Sequence, residues 1–74
     1  MFLARVDGGI DAAIEALKKR ELLVVERLGR RGNRDERMIV QDWKHHQALV
    51  SFMTDGTQTV VCFEKMVDPQ GRLF

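Results

Sequence analysis

Gly8-Gly9-Ile10-Asp11-Ala12-Ala13-Ile14-Glu15-Ala16-Leu17-Lys18-Lys19-Arg20-Glu21-Leu22-Leu23-Val24-Val25 carries the two changes of period that decide the fold. The Gly-Gly pair interrupts whatever precedes it. Ile10, Ala13, Ile14 and Leu17 then recur at i, i+3, i+4 and i+7, one apolar stripe of an α-helix over about residues 10 to 20. Asp11, Glu15, Lys18 and Lys19 lie on the opposite face. Asp7 or a glycine can cap the start. Asp11 in the first turn and Lys18, Lys19 and Arg20 in the last complement the helix dipole. At Leu22 the helical period stops. Two leucines and two β-branched valines in a row signal a strand over about 22 to 28.

Outward from that stretch, the chain reads as strands. Residues 2–6 alternate weakly and read as a short edge strand. Residues 29–36 read as a polar loop rich in arginine and glycine, and residues 38–43 as the next strand. Lys44-His45-His46 reads as a turn. Ala48, Val50 and Phe52 alternate with Leu49, Ser51 and Met53, a further strand. Thr54-Asp55-Gly56 is a tight-turn signal, because glycine accepts positive φ at no steric cost. Residues 57–64 form the next strand, Asp68-Pro69-Gln70-Gly71 a turn, and Arg72-Leu73-Phe74 a last short strand. Short connections between consecutive strands require antiparallel neighbours. The expected fold is therefore α+β in a single domain over residues 1–74. One N-terminal helix packs on a curved antiparallel sheet of four or five strands, either a small barrel of SH3-like or Sm-like type or an open sheet. Apolar residues occupy both strand faces: Leu22 and Val24 oppose Leu23 and Val25, and Val61 and Phe63 oppose Val60 and Cys62. One helix covers one face. The other must be buried by curling, by a partner or by a target, so a homo-oligomer or a complex is expected.

At 74 residues a domain buries only about 60% of the surface its unfolded chain exposes. A single cysteine, Cys62, excludes an internal disulfide. No apolar run approaches a membrane span. The apolar start is too short and too charged for a signal peptide. With one cysteine, that points to a reducing compartment, by default the cytoplasm. The net charge of +1 is unevenly spread: residues 18–37 carry +4 and the remainder −3.

Four features could carry chemistry. Arg27, Arg30, Arg31, Arg34 and Arg37 fall in one hairpin, and arginine forks match phosphates or carboxylates bidentately. The plainer reading is a solvated hairpin partly neutralised by Asp35 and Glu36, but five arginines tip the balance toward contact. Asp42, His45, His46 and Cys62 are metal-capable types without metal-site spacing. Polar turn residues plus a packed, unreactive thiol are the expected roles, and no metal or cofactor is anticipated. Trp43 beside two histidines could stack a base, although a lone tryptophan in so small a domain more commonly fills the core. Gly8-Gly9 before a helix could hold an anion, but Asp7 and Asp11 would repel one.

The helix feeding straight into the first strand of the sheet, residues 14–21 into residues 22–28, resembles the Sm-like fold of the bacterial RNA chaperone Hfq. Gln58-Thr59-Val60-Val61-Cys62-Phe63-Glu64-Lys65 is similar to that family's fourth strand in its hydrophobic placement. The resemblance implies a small barrel over about residues 10 to 68. The family's Tyr-Lys-His signature, due near Phe63-Glu64-Lys65, is absent, and Met38 and Ile39 stand where a glycine is expected. The loop over residues 29–36 is also longer than the family's. The family's RNA-binding residues therefore do not carry over to this chain.

The expectation for function is a small non-catalytic binding module. It would bind nucleic acid, RNA first, through Arg27, Arg30, Arg31, Arg34 and Arg37, with Lys18, Lys19 and Trp43 contributing. The competing expectation is a protein-interaction module, a small inhibitor or adaptor of the kind phages and mobile elements encode. It would dock on an acidic protein surface through the arginine loop or an edge strand.

Overall fold

A computed structural model describes residues 1–30 and 35–67. The expected turn and short strand in residues 68–74 lie outside them, as do Arg31 and Arg34. The order is β1 (Phe2–Asp7), α1 (Ile10–Lys19), β2 (Leu23–Arg30), β3 (Asp35–Gln41), β4 (Gln47–Thr54) and β5 (Gln58–Val67). The strands form one antiparallel sheet in the order β1-β5-β4-β3-β2. The sheet is curved and unclosed, with β1 and β2 as its two edges among the described residues.

That order explains the helix. With every neighbour antiparallel, β1 and β2 run in the same direction, so the chain must cross the sheet between them. Four strand spacings amount to roughly 19 Å, and a ten-residue helix covers roughly 15 Å. Helix α1, with two short connections, carries the chain from one edge to the other across one face.

Both helix ends have a local cause. Gly9 is the N-cap and offers no side chain. Asp7 does not cap; its carboxylate accepts from Gln58 Nε2 at 3.2 Å instead. Gly8 holds φ +107°, and a Cβ there would stand 2.9 Å from the Ala12 Cβ. Its N–H donates to Thr57 O at 2.7 Å and its carbonyl accepts from Thr59 Oγ1 at 2.9 Å, which moors the helix start to β5. At the other end Leu22 N–H donates to Leu17 O and Glu21 N–H to Lys18 O. This is a Schellman closure, here with Glu21 at φ 63° in the place glycine usually takes. Leu22 then packs back on the core, which covers the strain at Glu21.

The helix face of the sheet holds the main core: Ala13 and Leu17 from α1 against Ala4, Met38, Val40, Val50, Phe52 and Val61. The opposite face is not bare. Ile39, Leu49 and Val67 form a second buried cluster there, and Ser51 donates to the Glu64 carboxylate beside it. Cys62, expected to be packed, is only half-buried.

Two strand boundaries differ from the sequence expectation. Residues 29–36 are not all loop: β2 runs through Arg30 and β3 resumes at Asp35. Arg30 faces Glu36 in register, and cross-strand pairing of opposite charges supports a ladder that single-residue propensities do not register. Strand β3 ends at Gln41 rather than Trp43. The Asp42 carboxylate takes the backbone N–H groups of Lys44 and His46, each at 2.9 Å, and turns the chain out of the sheet.

The β4–β5 turn falls where expected and is built on Asp55. Its Oδ1 accepts from Thr57 N, Gln58 N and Thr57 Oγ1, each at 2.8 Å. The amides of Gln58 and Thr57 hold this carboxyl down to about 2. A depressed carboxylate contributes stability fully above its unfolded value of roughly 3.9, and that stability is lost as pH falls through about 2. Wild type is therefore expected to lose more stability between these pH values than Asp55→Asn, measured by urea denaturation at each. Equal losses would show that the turn carboxylate is not protonation-linked to folding.

Candidate functional site

Because β3 runs about 20 Å from its hairpin end to its far turn, the residues named for contact lie at two ends of the sheet. Arg27 and Arg30 stand at the β2–β3 hairpin end, near the start of α1. Lys18, Lys19 and Trp43 stand at the opposite end, where α1 finishes and β3 meets β4.

At the hairpin end, Arg27 is engaged within the fold. Its Nε and Nη2 donate to Glu36 Oε2 and Oε1 at 2.6 and 2.8 Å. The Glu36 side chain is 6% exposed and that of Arg27 is 50% exposed. The Arg27 hydrogen bonds hold the Glu36 carboxyl below its ordinary range despite burial, and Arg30 adds to the effect. Reciprocally, the hydrogen bonds raise Arg27 above its ordinary value, with a smaller contribution from the Asp11 charge. Asp11 and Glu36 share a depression with Arg27 and Arg30, so this end mixes signs. Arg37, one residue on from Glu36 in β3, projects to the other face, in register with Ser51. Arg27 and Arg37 thus do not converge.

The opposite end is more exposed, and it too mixes signs: Lys18, Lys19 and Lys44 stand there with Glu21 and Asp42. Trp43 is 70% exposed, which corrects the expectation that it fills the core. The cause is local: the Asp42-anchored turn carries it off β3 before it can join the ladder. Lys44 Nζ sits 5.0 Å from the centroid of the indole, within cation–π range. A depression beside the indole is lined by Lys18, Glu21, Leu23, Gln41 and Asp42. Leu23 there is 50% exposed. Lys18 and Lys19 are exposed in the last turn of α1, so the helix end delivers cations to the same region.

Asp42 organises this end. Besides the two amides, its Oδ2 lies 3.2 Å from His46 Nδ1. Burial pulls the Asp42 carboxyl upward, but the amides of His46 and Lys44 and the imidazole outweigh it, leaving it below its usual range. His45 turns away, its Nδ1 3.1 Å from Gln41 Nε2. Among the described residues no three histidine, cysteine, aspartate or glutamate side chains gather as a metal site.

Sequence reasoning noted Leu23 and Val25 as apolar but missed the two bulges of the β2 edge. Val25 and Leu28 are the extra residues of two register shifts in this strand and are 48% and 45% exposed. Bulges have no period-2 signature, so alternation could not reveal them. They blunt the edge against pairing with another strand. No helix of the described residues is long and apolar enough to cross a membrane. No family model, curated protein or solved structure matches the chain.

Proposed function

We propose that this chain is a small non-catalytic module that binds single-stranded nucleic acid, RNA in the first place, with the Trp43 end as its contact surface. The observation that carries the reading is the indole left 70% exposed with a lysine over its ring and Lys18 lining the depression beside it. Burying such a ring in its own core would stabilise a small fold by about 2 kcal/mol. Presenting it on a braced turn makes sense as a platform for a target. A base stacked on an aromatic ring contributes about 1–3 kcal/mol whatever the base, and Lys18, Lys19 and Lys44 supply cations for the flanking phosphates. The hairpin arginines Arg30, Arg31, Arg34 and Arg37 belong to this reading as a separate second contact. A cytoplasmic setting and assembly into a homo-oligomer or complex go with it.

The chain has one tryptophan and no tyrosine, so its intrinsic fluorescence reports Trp43 alone. Titration with a single-stranded RNA oligonucleotide should quench that emission. Three lysine–phosphate contacts should give a log-log salt slope of roughly 2. Trp43→Ala, followed by anisotropy of labelled RNA, should weaken binding roughly 5- to 150-fold without moving the melting temperature. An unchanged emission, or RNA binding by Trp43→Ala at wild-type affinity, would reject the proposal.

A protein-interaction module is the second reading, favoured by Leu23, Val25 and Leu28 exposed along β2. The bulges mean that such a partner would pack on these side chains rather than extend the sheet. A partner retained from lysate regardless of nuclease would favour it.

A further inference from the structure

Helix α1 crosses its face of the sheet from the end of β1 to the start of β2, and among the described residues nothing else covers two corners of that face. The Arg27–Glu36 pair fills one. The other is a recess of about 210 Å³ whose apolar floor and walls come from Leu22, Val40, Ala48, Phe63 and Met66. Asp42 and His46 stand at its rim. We infer that this recess is a binding site for a small, uncharged apolar molecule bearing a single hydroxyl group, a phenol or short alcohol, whose hydroxyl donates to His46 Nε2.

Size, lining and rim each narrow the ligand. An enclosed apolar cavity of about 150 Å³ takes a benzene-sized molecule; this recess is open to solvent on one side, and its 210 Å³ limits an occupant to one ring or a short branched chain. A charged body would be desolvated against leucine, valine and phenylalanine with nothing to pair it. The rim fixes the head group. Asp42 is ionised and acceptor-only, with Oδ1 already taking two amides, so the His46 nitrogen facing Oδ2 must carry the proton. In the neutral imidazole that leaves Nε2 as an acceptor, which calls for a ligand that donates. A carboxylate or phosphate head would meet the Asp42 charge next to the imidazole and is disfavoured. The recess is separate from the Trp43 depression. The two share only Asp42, so this site stands or falls independently of nucleic-acid binding.

The test uses phenol and toluene, which match in shape and differ in the hydroxyl. Each is titrated into the intact chain while methyl resonances of Leu22, Ala48 and Met66 are followed by NMR. Both should perturb these methyls at about millimolar concentration, with phenol binding roughly three- to tenfold tighter, the worth of one hydrogen bond. His46→Ala should keep toluene binding and erase the preference for phenol. Ala48→Leu should fill the recess and abolish both, and its retained amide spectrum would show that the fold survives. Recess methyls that do not move with either probe would overturn the inference. So would equal affinity for the two in wild type, or a phenol preference that persists in His46→Ala.

Discussion

Leu17→Ala is expected to cost about 2–5 kcal/mol, the range for truncating a fully buried leucine. Leu17 is 1% exposed and lies in the last full turn of α1, in one buried cluster with Val40, Val50 and Phe52. Among the described residues no other element lies behind the helix, so little can move inward to close the void. A chain of this length has on the order of 4–11 kcal/mol of stability in total, so the loss is a large share and is readable as a collapse of the melting transition. The backbone Schellman bonds at Leu17 survive the change, which confines the effect to packing. Lys18→Ala, one residue along on the solvent side, serves as the control and should melt close to wild type. A Leu17→Ala melting curve that overlays wild type would refute the packing of this helix on the sheet.

Arg27→Ala should destabilise by about 1–3 kcal/mol, the cost of leaving a buried charged group without its partner. Glu36 is 5% exposed and receives both prongs of the Arg27 fork. The nearby Arg30 charge and the half-exposed arginine keep the figure below that for a fully buried pair. The decisive comparison is the double variant Arg27→Met/Glu36→Leu. Removing both charges removes the orphan, so the double variant should recover most of the stability that the single one loses. Denaturant midpoints of the three proteins measure this. A double variant at least as unstable as Arg27→Ala would mean that the arginine contributes through its packed stem rather than by neutralising Glu36.

This pair shows why the arginine cluster could not be interpreted from order alone. Five arginines in eleven residues look like one basic patch. In the fold, strand alternation sends Arg37 to one face, and Arg27, in register with Met38, reaches diagonally along the ladder to Glu36. Such pairing depends on which residues a neighbouring strand brings opposite, and no local pattern encodes that. Trp43 was misread for a related reason. Met38, Ile39 and Val40 lead toward it as strand formers, and the capture of two amides by Asp42 takes it out of the ladder. The motif for that turn, an aspartate followed by polar residues, was present and carried less weight than the run of strand formers.

What the amino-acid order determined by itself was local. The 3.6-residue stripe of Ile10, Ala13, Ile14 and Leu17 has one low-energy solution, a helix with that face buried, and the structure has it. The Asp55-Gly56 turn and the chain of strands followed from residues that interact within a few positions of one another. The presence of apolar residues on both strand faces was legible too. Tertiary structure decided everything that depends on long-range pairing. Joining Phe2–Asp7 to β5 put β1 at the edge opposite β2. That forced the helix across the sheet and opened the corner above Phe63 and Met66. It also set the Trp43 end apart from the arginine hairpin. These choices come from burial summed over the whole sheet, in which residues sixty positions apart compete for the same neighbours.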